Sequence, residues 1–240
     1  MFDENPATAS GPFPLIVLAH DLGSTPALYG DLAAAWAAAG FVVAAPSFPL
    51  SDSYAPGGPD GSDSINQPGD VRAVIDRILE LSEANDGGIL AGMVDSSSIG
   101  MVGHGVGAGT AAALFTNPCC RDERIDAVIA MSLGTNDYMS GAVEWPQNRP
   151  LLVVYGDADV ESPKMLSDDM FAEARAPKGL LTLRGADRDS YIVRSSRAFA
   201  VTSATTTDFW RIYLDGAPGE VGANSSDYVP DVATLTFILG

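Results

Sequence analysis

The chain has 240 residues, 46% of them hydrophobic, which suits one α/β domain with a substantial core better than two ordinary domains. Its 31 acidic and 13 basic residues leave a formal charge of −18, which repels polyphosphate and argues against nucleic acid as a partner. No apolar run approaches the about 20 residues of a bilayer-spanning helix. The acidic start Met1-Phe2-Asp3-Glu4-Asn5 is no signal peptide, so a cytoplasmic chain is expected, or a secreted one if a leader precedes it.

In chain order, Pro14 to Ala19 is a continuous apolar run, as expected of a buried parallel strand. It leads into His20-Asp21-Leu22-Gly23-Ser24 and then a helix from about Leu28 to Ala39, stopped by Gly40. Phe41 to Ala45 is a second strand. Pro46 to Gly69, rich in Pro, Gly, Ser and Asp, is a long loop of the kind that borders sites. Pro68 to Glu83 is an amphipathic helix with Val71, Val74, Ile75, Ile78 and Leu79 on one face.

A strand ending at Ile99-Gly100-Met101-Val102 then meets Gly103-His104-Gly105-Val106-Gly107, followed by an alanine-rich helix. Ile125 to Met131, Leu151 to Tyr155 and Gly179 to Leu183 are further strands. Pro163 to Ala174 and about Arg194 to Leu214 are helices, the first opened by proline. Beyond Asp215 the tail reads as loop, apart from an apolar end at Val232 to Leu239. Alternating strands and helices imply a mainly parallel sheet covered by helices on both faces, in a single domain over residues 1–240. The adjacent Cys119 and Cys120 are expected as two thiols rather than as a vicinal disulfide. No zinc-ligand spacing or phosphate loop is present, and no cofactor is expected.

Four motifs in this order resemble those of α/β-hydrolases, nearest the branch of cutinase-like polyester hydrolases, chlorophyllases and dienelactone hydrolases. His20-Asp21-Leu22-Gly23 looks like the H-G-x-G oxyanion loop, and Gly103-His104-Gly105-Val106-Gly107 like the nucleophile elbow G-x-S-x-G. Tyr155-Gly156-Asp157-Ala158-Asp159 resembles the loop of the triad acid, with Asp159 at the matching position. Leu183-Arg184-Gly185-Ala186-Asp187-Arg188 resembles the loop of the triad histidine, with Arg188 in its place. The resemblance covers about Pro14 to Leu214, and the family's opening antiparallel strands look shortened or missing.

That resemblance implies an α/β-hydrolase fold with a degenerate triad. Acyl transfer needs a nucleophile, a base and an orienting acid. Gly105 offers no nucleophile, and Arg188 stays protonated and cannot serve as the base. The backbone N–H groups of Leu22 and Val106 correspond to oxyanion donors. Asp159 and Arg188 are expected to face each other as an ion pair. Asp21, where the family has glycine, either supplies an acid or base or spoils the hole for anions.

His104 is expected to point into the sheet and His20 to brace its loop, although His20 is also the best remaining proton-transfer group. Tyr138, with Asn136 and Asp137, follows a strand on the ligand-binding side, and Trp145 in its loop is a candidate pocket residue. Trp36, Phe209 and Trp210 read as core. Three functions fit, in this order. The first is a non-hydrolytic enzyme acting on an apolar carbonyl metabolite by cyclase, lyase or isomerase chemistry. The second is a pseudohydrolase that binds a small ligand or partner, and the third an ester hydrolase whose serine was replaced.

Overall fold

A computed structural model describes residues 11–84, 88–134, 142–222 and 231–240. Seven strands form one sheet: β1 (Phe13–Ala19), β2 (Val42–Ala44), β3 (Val94–His104), β4 (Ile125–Met131), β5 (Leu151–Gly156), β6 (Lys178–Leu183) and β7 (Ala233–Ile238). Their order across the sheet is β2-β1-β3-β4-β5-β6-β7, parallel throughout except for β7, which runs antiparallel to β6. The helices are α1 (Gly30–Ala38), α2 (Gln67–Glu83), α3 (Val106–Thr116), α4 (Lys164–Glu173) and α5 (Arg197–Tyr213). The expected mainly parallel α/β architecture is what the chain adopts.

The continuous apolar runs are continuous because both sheet faces are covered. Alternate residues of β1 serve opposite layers. Ile16 and Leu18 join Trp36 of α1 and Phe209 and Trp210 of α5 on one face. Leu15, Val17 and Ala19 join Val71 and Ile75 of α2, Ala108 and Phe115 of α3 and Met170 of α4 on the other. Trp36 and Trp210 are fully buried and meet edge to face with centroids 6.3 Å apart, and Trp36 Nε1 donates to Thr206 Oγ1. Gly100 admits that pair: a Cβ there would lie 2.7 Å from the Trp210 ring.

The order β2-β1-β3 places a reversal of winding between β1 and β3, the point at which open α/β sheets form a crevice at their carboxyl ends. Both glycine-bearing motifs follow these two strands. One expectation is corrected nearby. Cys119 and Cys120 are joined as a vicinal disulfide, not left as thiols. The turn after α3, closed by the Cys120 and Arg121 N–H groups on Asn117 O, holds the two side chains together. The apolar chain end, unassigned by pattern, forms β7 as a half-buried edge strand.

Candidate functional site

β3 ends at His104 and α3 begins at Val106, so a single residue, Gly105, makes the turn, with φ 57 and ψ −116. That is a conformation L side chains resist. Its flanking glycines are required by close backbone approach. A Cβ on Gly103 would lie 2.0 Å from Gly107 O, and one on Gly107 would lie 2.2 Å from Ala19 O. The sharp strand-to-helix turn is therefore built from three glycines that the packing of α3 on β1 and β3 demands.

The space above Gly105 is filled from across the crevice. A Cβ on Gly105 would meet Asp21 Oδ1 at 2.0 Å, Asp21 Cγ at 2.1 Å and Arg188 Nη2 at 2.2 Å. Asp21 Oδ1 accepts from both Leu22 N and Val106 N, each at 2.8 Å. These are the two N–H groups that the motif resemblance assigns to an oxyanion. Asp21 Oδ2 is held by Arg188 through Nε and Nη2, both at 2.6 Å. The carboxylate and guanidinium keep only 12% and 16% of their side-chain surface exposed.

This arrangement corrects the expected Asp159–Arg188 ion pair. Arg188 reaches past Asp159 to Asp21, and its Nη1 donates to Ser162 Oγ at 2.6 Å. Asp159 is satisfied without a cation. Its Oδ2 accepts from Ser132 Oγ at 2.7 Å, and its Oδ1 from the N–H groups of Glu161 and Ser162 at 2.9 Å. Burial opposes the Asp159 charge, but these donors outweigh it and hold the carboxyl below the ordinary range. Burial likewise opposes the Arg188 charge, and Asp21 more than offsets it, so the guanidinium stays protonated.

Both histidines are pinned in neutral form. His20 Nδ1–H donates to Asp21 O at 2.8 Å, so Nε2 carries the lone pair and accepts from Phe48 N at 3.1 Å. His104 Nε2–H donates to Arg188 O, and Nδ1 accepts from Tyr29 OH at 2.7 Å. The Tyr29 oxygen in turn accepts from Asp21 N at 3.1 Å. Each ring is 1% exposed, and burial lowers both pKa values. Neither has a free basic nitrogen aimed at the crevice.

An open groove of about 350 Å³ lies over the pair. Asp21, Leu22, Asp159, Glu161, Asp187 and Arg188 contribute to its walls. Of the sequence candidates, the structure thus brings Asp21, Leu22, Gly105, Val106 and Arg188 into direct contact, with Asp159 adjacent and His20 and His104 behind. Trp145 is not with them: it lines a separate cleft at the opposite, amino-terminal edge of the parallel strands. Tyr138, Asn136 and Asp137 lie outside the described residues. Sequence reasoning missed Ser132, Ser162 and Tyr191, which tie the β4, β5 and β6 loops together: Tyr191 OH donates to Ser132 Oγ, and Ser162 Oγ to Ser132 O. The available signal was position, since Ser132 directly follows β4 at the carboxyl edge.

Sheet order, elbow turn and crevice together define an α/β-hydrolase fold. Among 486 solved chains of matching fold is a ferulic acid esterase from Streptomyces cinnamoneus, with a TM-score of 0.70 and 22% identity, the match covering 96% of this chain and 75% of that one. No family model matches the sequence, and no curated protein resembles it recognisably.

Proposed function

We propose that this chain is a pseudohydrolase: an α/β-hydrolase-fold protein that has given up acyl transfer and uses the carboxyl edge of its sheet to receive a ligand or partner. The observation that carries this reading is the Asp21 carboxylate seated on both Leu22 N and Val106 N and locked there by Arg188. A substrate carbonyl cannot use donors that an internal anion already holds. This also weighs against cyclase, lyase or isomerase chemistry on a carbonyl metabolite, which would need the same two N–H groups free.

The likeness to an esterase favours ester hydrolysis as a second reading, but Gly105 supplies no nucleophile and both imidazoles are engaged. The groove sets four further carboxylates, Asp159, Glu161, Asp187 and Asp189, against the balanced Asp21–Arg188 pair. What it receives is therefore neutral or cationic, and exposed Leu22, Leu28 and Val160 give it apolar contacts.

Hydrolysis of p-nitrophenyl butyrate and labelling by a fluorophosphonate test the reading. The chain should release nitrophenol at the buffer rate and take up no label. Turnover above that rate, or a labelled residue in the crevice, would refute it. The combined variant Asp21→Gly, Gly105→Ser, Arg188→His should regain measurable turnover, which would tie the loss to these three positions.

A further inference from the structure

The carboxyl edge offers more than the groove over Gly105, and its use rests on the reading that this edge receives a ligand or partner. Among the described residues, exposed large apolar side chains concentrate there. Leu22 and Leu28 follow β1, Leu50, Tyr54 and Ile65 follow β2, and Val160 follows β5, whereas Ile89, Ile238 and Leu239 stand elsewhere. Tyr54 is 84% and Val160 94% exposed, so neither serves the core.

These loops are joined into one surface. Gly23 N donates to Ser51 O at 2.8 Å, Ser53 N donates to Ser24 O at 3.1 Å, and the Leu22 side chain lies against Gly61. Leu22, Leu28 and Val160 then share the walls of the groove. A cluster of exposed apolar side chains rimmed by charge marks a surface that another molecule covers. In the order β2-β1-β3-β4-β5, the strands that lead to Tyr54 and Val160 are four places apart, about 19 Å at the usual strand spacing. A small ligand does not reach across that width, but a polypeptide does.

Charge selects the partner. Asp159, Glu161, Asp187 and Asp189 line the groove, and Asp60, whose N–H donates to Leu50 O, stands in the loop beside Leu22. Hydrogen bonds from Ser62 and Ser190 hold Asp60 and Asp187 below the ordinary carboxylate range. The basic side chains of this edge are mostly engaged. Arg188 holds Asp21 at 2.6 Å and reaches Glu161 only at 3.9 Å, Lys164 pairs with Asp168, and Arg194 pairs with Asp31. Arg184 and Arg197 remain, too few to balance the carboxylates. The segments outside the described residues hold no lysine or arginine. An anionic lipid surface, a nucleic acid and the same face of a second copy are therefore all repelled.

We propose that the carboxyl edge docks a basic, apolar segment of a partner polypeptide, in which lysine or arginine side chains are interspersed with apolar ones. The apolar side chains cover Leu22, Leu28, Tyr54 and Val160, and the cations meet Glu161, Asp187 and Asp189.

The test uses three short fluorescein-labelled peptides of equal length, one of lysine and leucine, one of lysine and serine and one of glutamate and leucine, read by fluorescence anisotropy. The lysine–leucine peptide should bind saturably, less tightly in added salt, and at least about tenfold more tightly than the other two. Glu161→Gln combined with Asp189→Asn should raise its Kd about threefold or more, and Tyr54→Ser combined with Val160→Ser should do likewise. All four side chains are exposed, so folding is not at stake. Glu83→Gln combined with Glu173→Gln removes the same charge far from the edge and should leave Kd unchanged. No binding of the lysine–leucine peptide, equal binding of either other peptide, or equal losses from the remote pair would overturn the proposal. So would a dimer of the protein alone, or attachment to phosphatidylserine vesicles, that Tyr54→Ser and Val160→Ser abolish, since the surface would then have another occupant. Nitrophenol release would refute the pseudohydrolase reading whatever the peptides do, whereas lost peptide binding without release would refute this proposal alone.

Discussion

Replacing Gly105 by alanine asks whether Asp21 and Gly105 compete for one volume. Alanine at φ 57, ψ −116 carries backbone strain of about 1–3 kcal/mol. Its Cβ would also overlap Asp21 Oδ1 at 2.0 Å, so the carboxylate must leave the two N–H donors and Arg188. Breaking a buried pair costs about 3–5 kcal/mol, reduced to about 2–4 here because both side chains retain some solvent contact. The single variant should therefore lose roughly 3–7 kcal/mol, the sum of strain and pair loss. Asp21→Ala should lose about 2–4 kcal/mol for the same pair. In the double variant that loss is counted once, and the new methyl meets only the Arg188 tip, the end of a flexible side chain. The coupling between the two substitutions should accordingly be about 2–4 kcal/mol, the shared pair loss, in favour of the double variant, measured by urea unfolding as a double-mutant cycle. Additivity within about 0.5 kcal/mol would show that the two residues do not share the site, and the account of the filled crevice would be wrong.

Gly107→Ala should destabilise by at least about 3 kcal/mol in the same assay, because the obstacle at 2.2 Å is backbone, Ala19 O, which cannot swing aside. Stability should fall on acidification from about pH 7 to 5. Burial depresses the pKa of His20 and His104, so the unfolded chain binds more protons once pH drops below the ordinary histidine value of about 6.5, and the native state loses at most about 1.4 kcal/mol per pH unit for each ring. Asp70, Asp126 and Asp208, raised by burial, act in the opposite sense but closer to the carboxylate range, so a flat or rising urea midpoint between pH 6.5 and 5.5 would contradict the neutral assignment. Reducing Cys119–Cys120 should leave the thermal midpoint nearly unchanged by calorimetry, since a bridge between neighbours closes no loop of chain worth an entropy term.

The sheet was legible because its burial is simple. Runs such as Leu15 to Ala19 and Leu151 to Tyr155 are apolar at every position only where helices cover both faces. The glycine frame was legible for a steric reason, since Gly103 and Gly107 sit where backbone meets backbone. β7 escaped because a half-exposed edge strand alternates polar and apolar residues and lacks the continuous apolar run that marked the buried strands. Within the site, matching positions one by one set Arg188 against Asp159, as a histidine would be. Arginine is longer, and the hydroxyls and N–H groups around Asp159 leave that carboxylate no need of a cation, so the guanidinium went on to Asp21. Trp145 lines a cleft, as its place in a loop suggested, but not the one over Gly105, and its nearness to the start of β5 held that information. A residue six positions before a parallel strand lies near that strand's amino-terminal edge, away from the carboxyl-edge crevice.

On the proposed reading, three departures from the hydrolase pattern depend on one another. Asp21 in place of glycine sends a carboxylate toward two N–H donors, but it fits only if position 105 carries no side chain. Gly105 alone would leave a gap over the turn, which the Asp21 carboxyl and the Arg188 guanidinium occupy. Arg188 in place of histidine supplies the charge without which the half-buried carboxylate would stand uncompensated, and it reaches a distance histidine would not. A serine removed to silence an otherwise intact enzyme would require neither Asp21 nor Arg188. The mutual fit of the three, down to both carboxylate oxygens being taken, indicates a site reorganised as a unit: the donors that stabilise an oxyanion in a hydrolase here bind the protein's own anion.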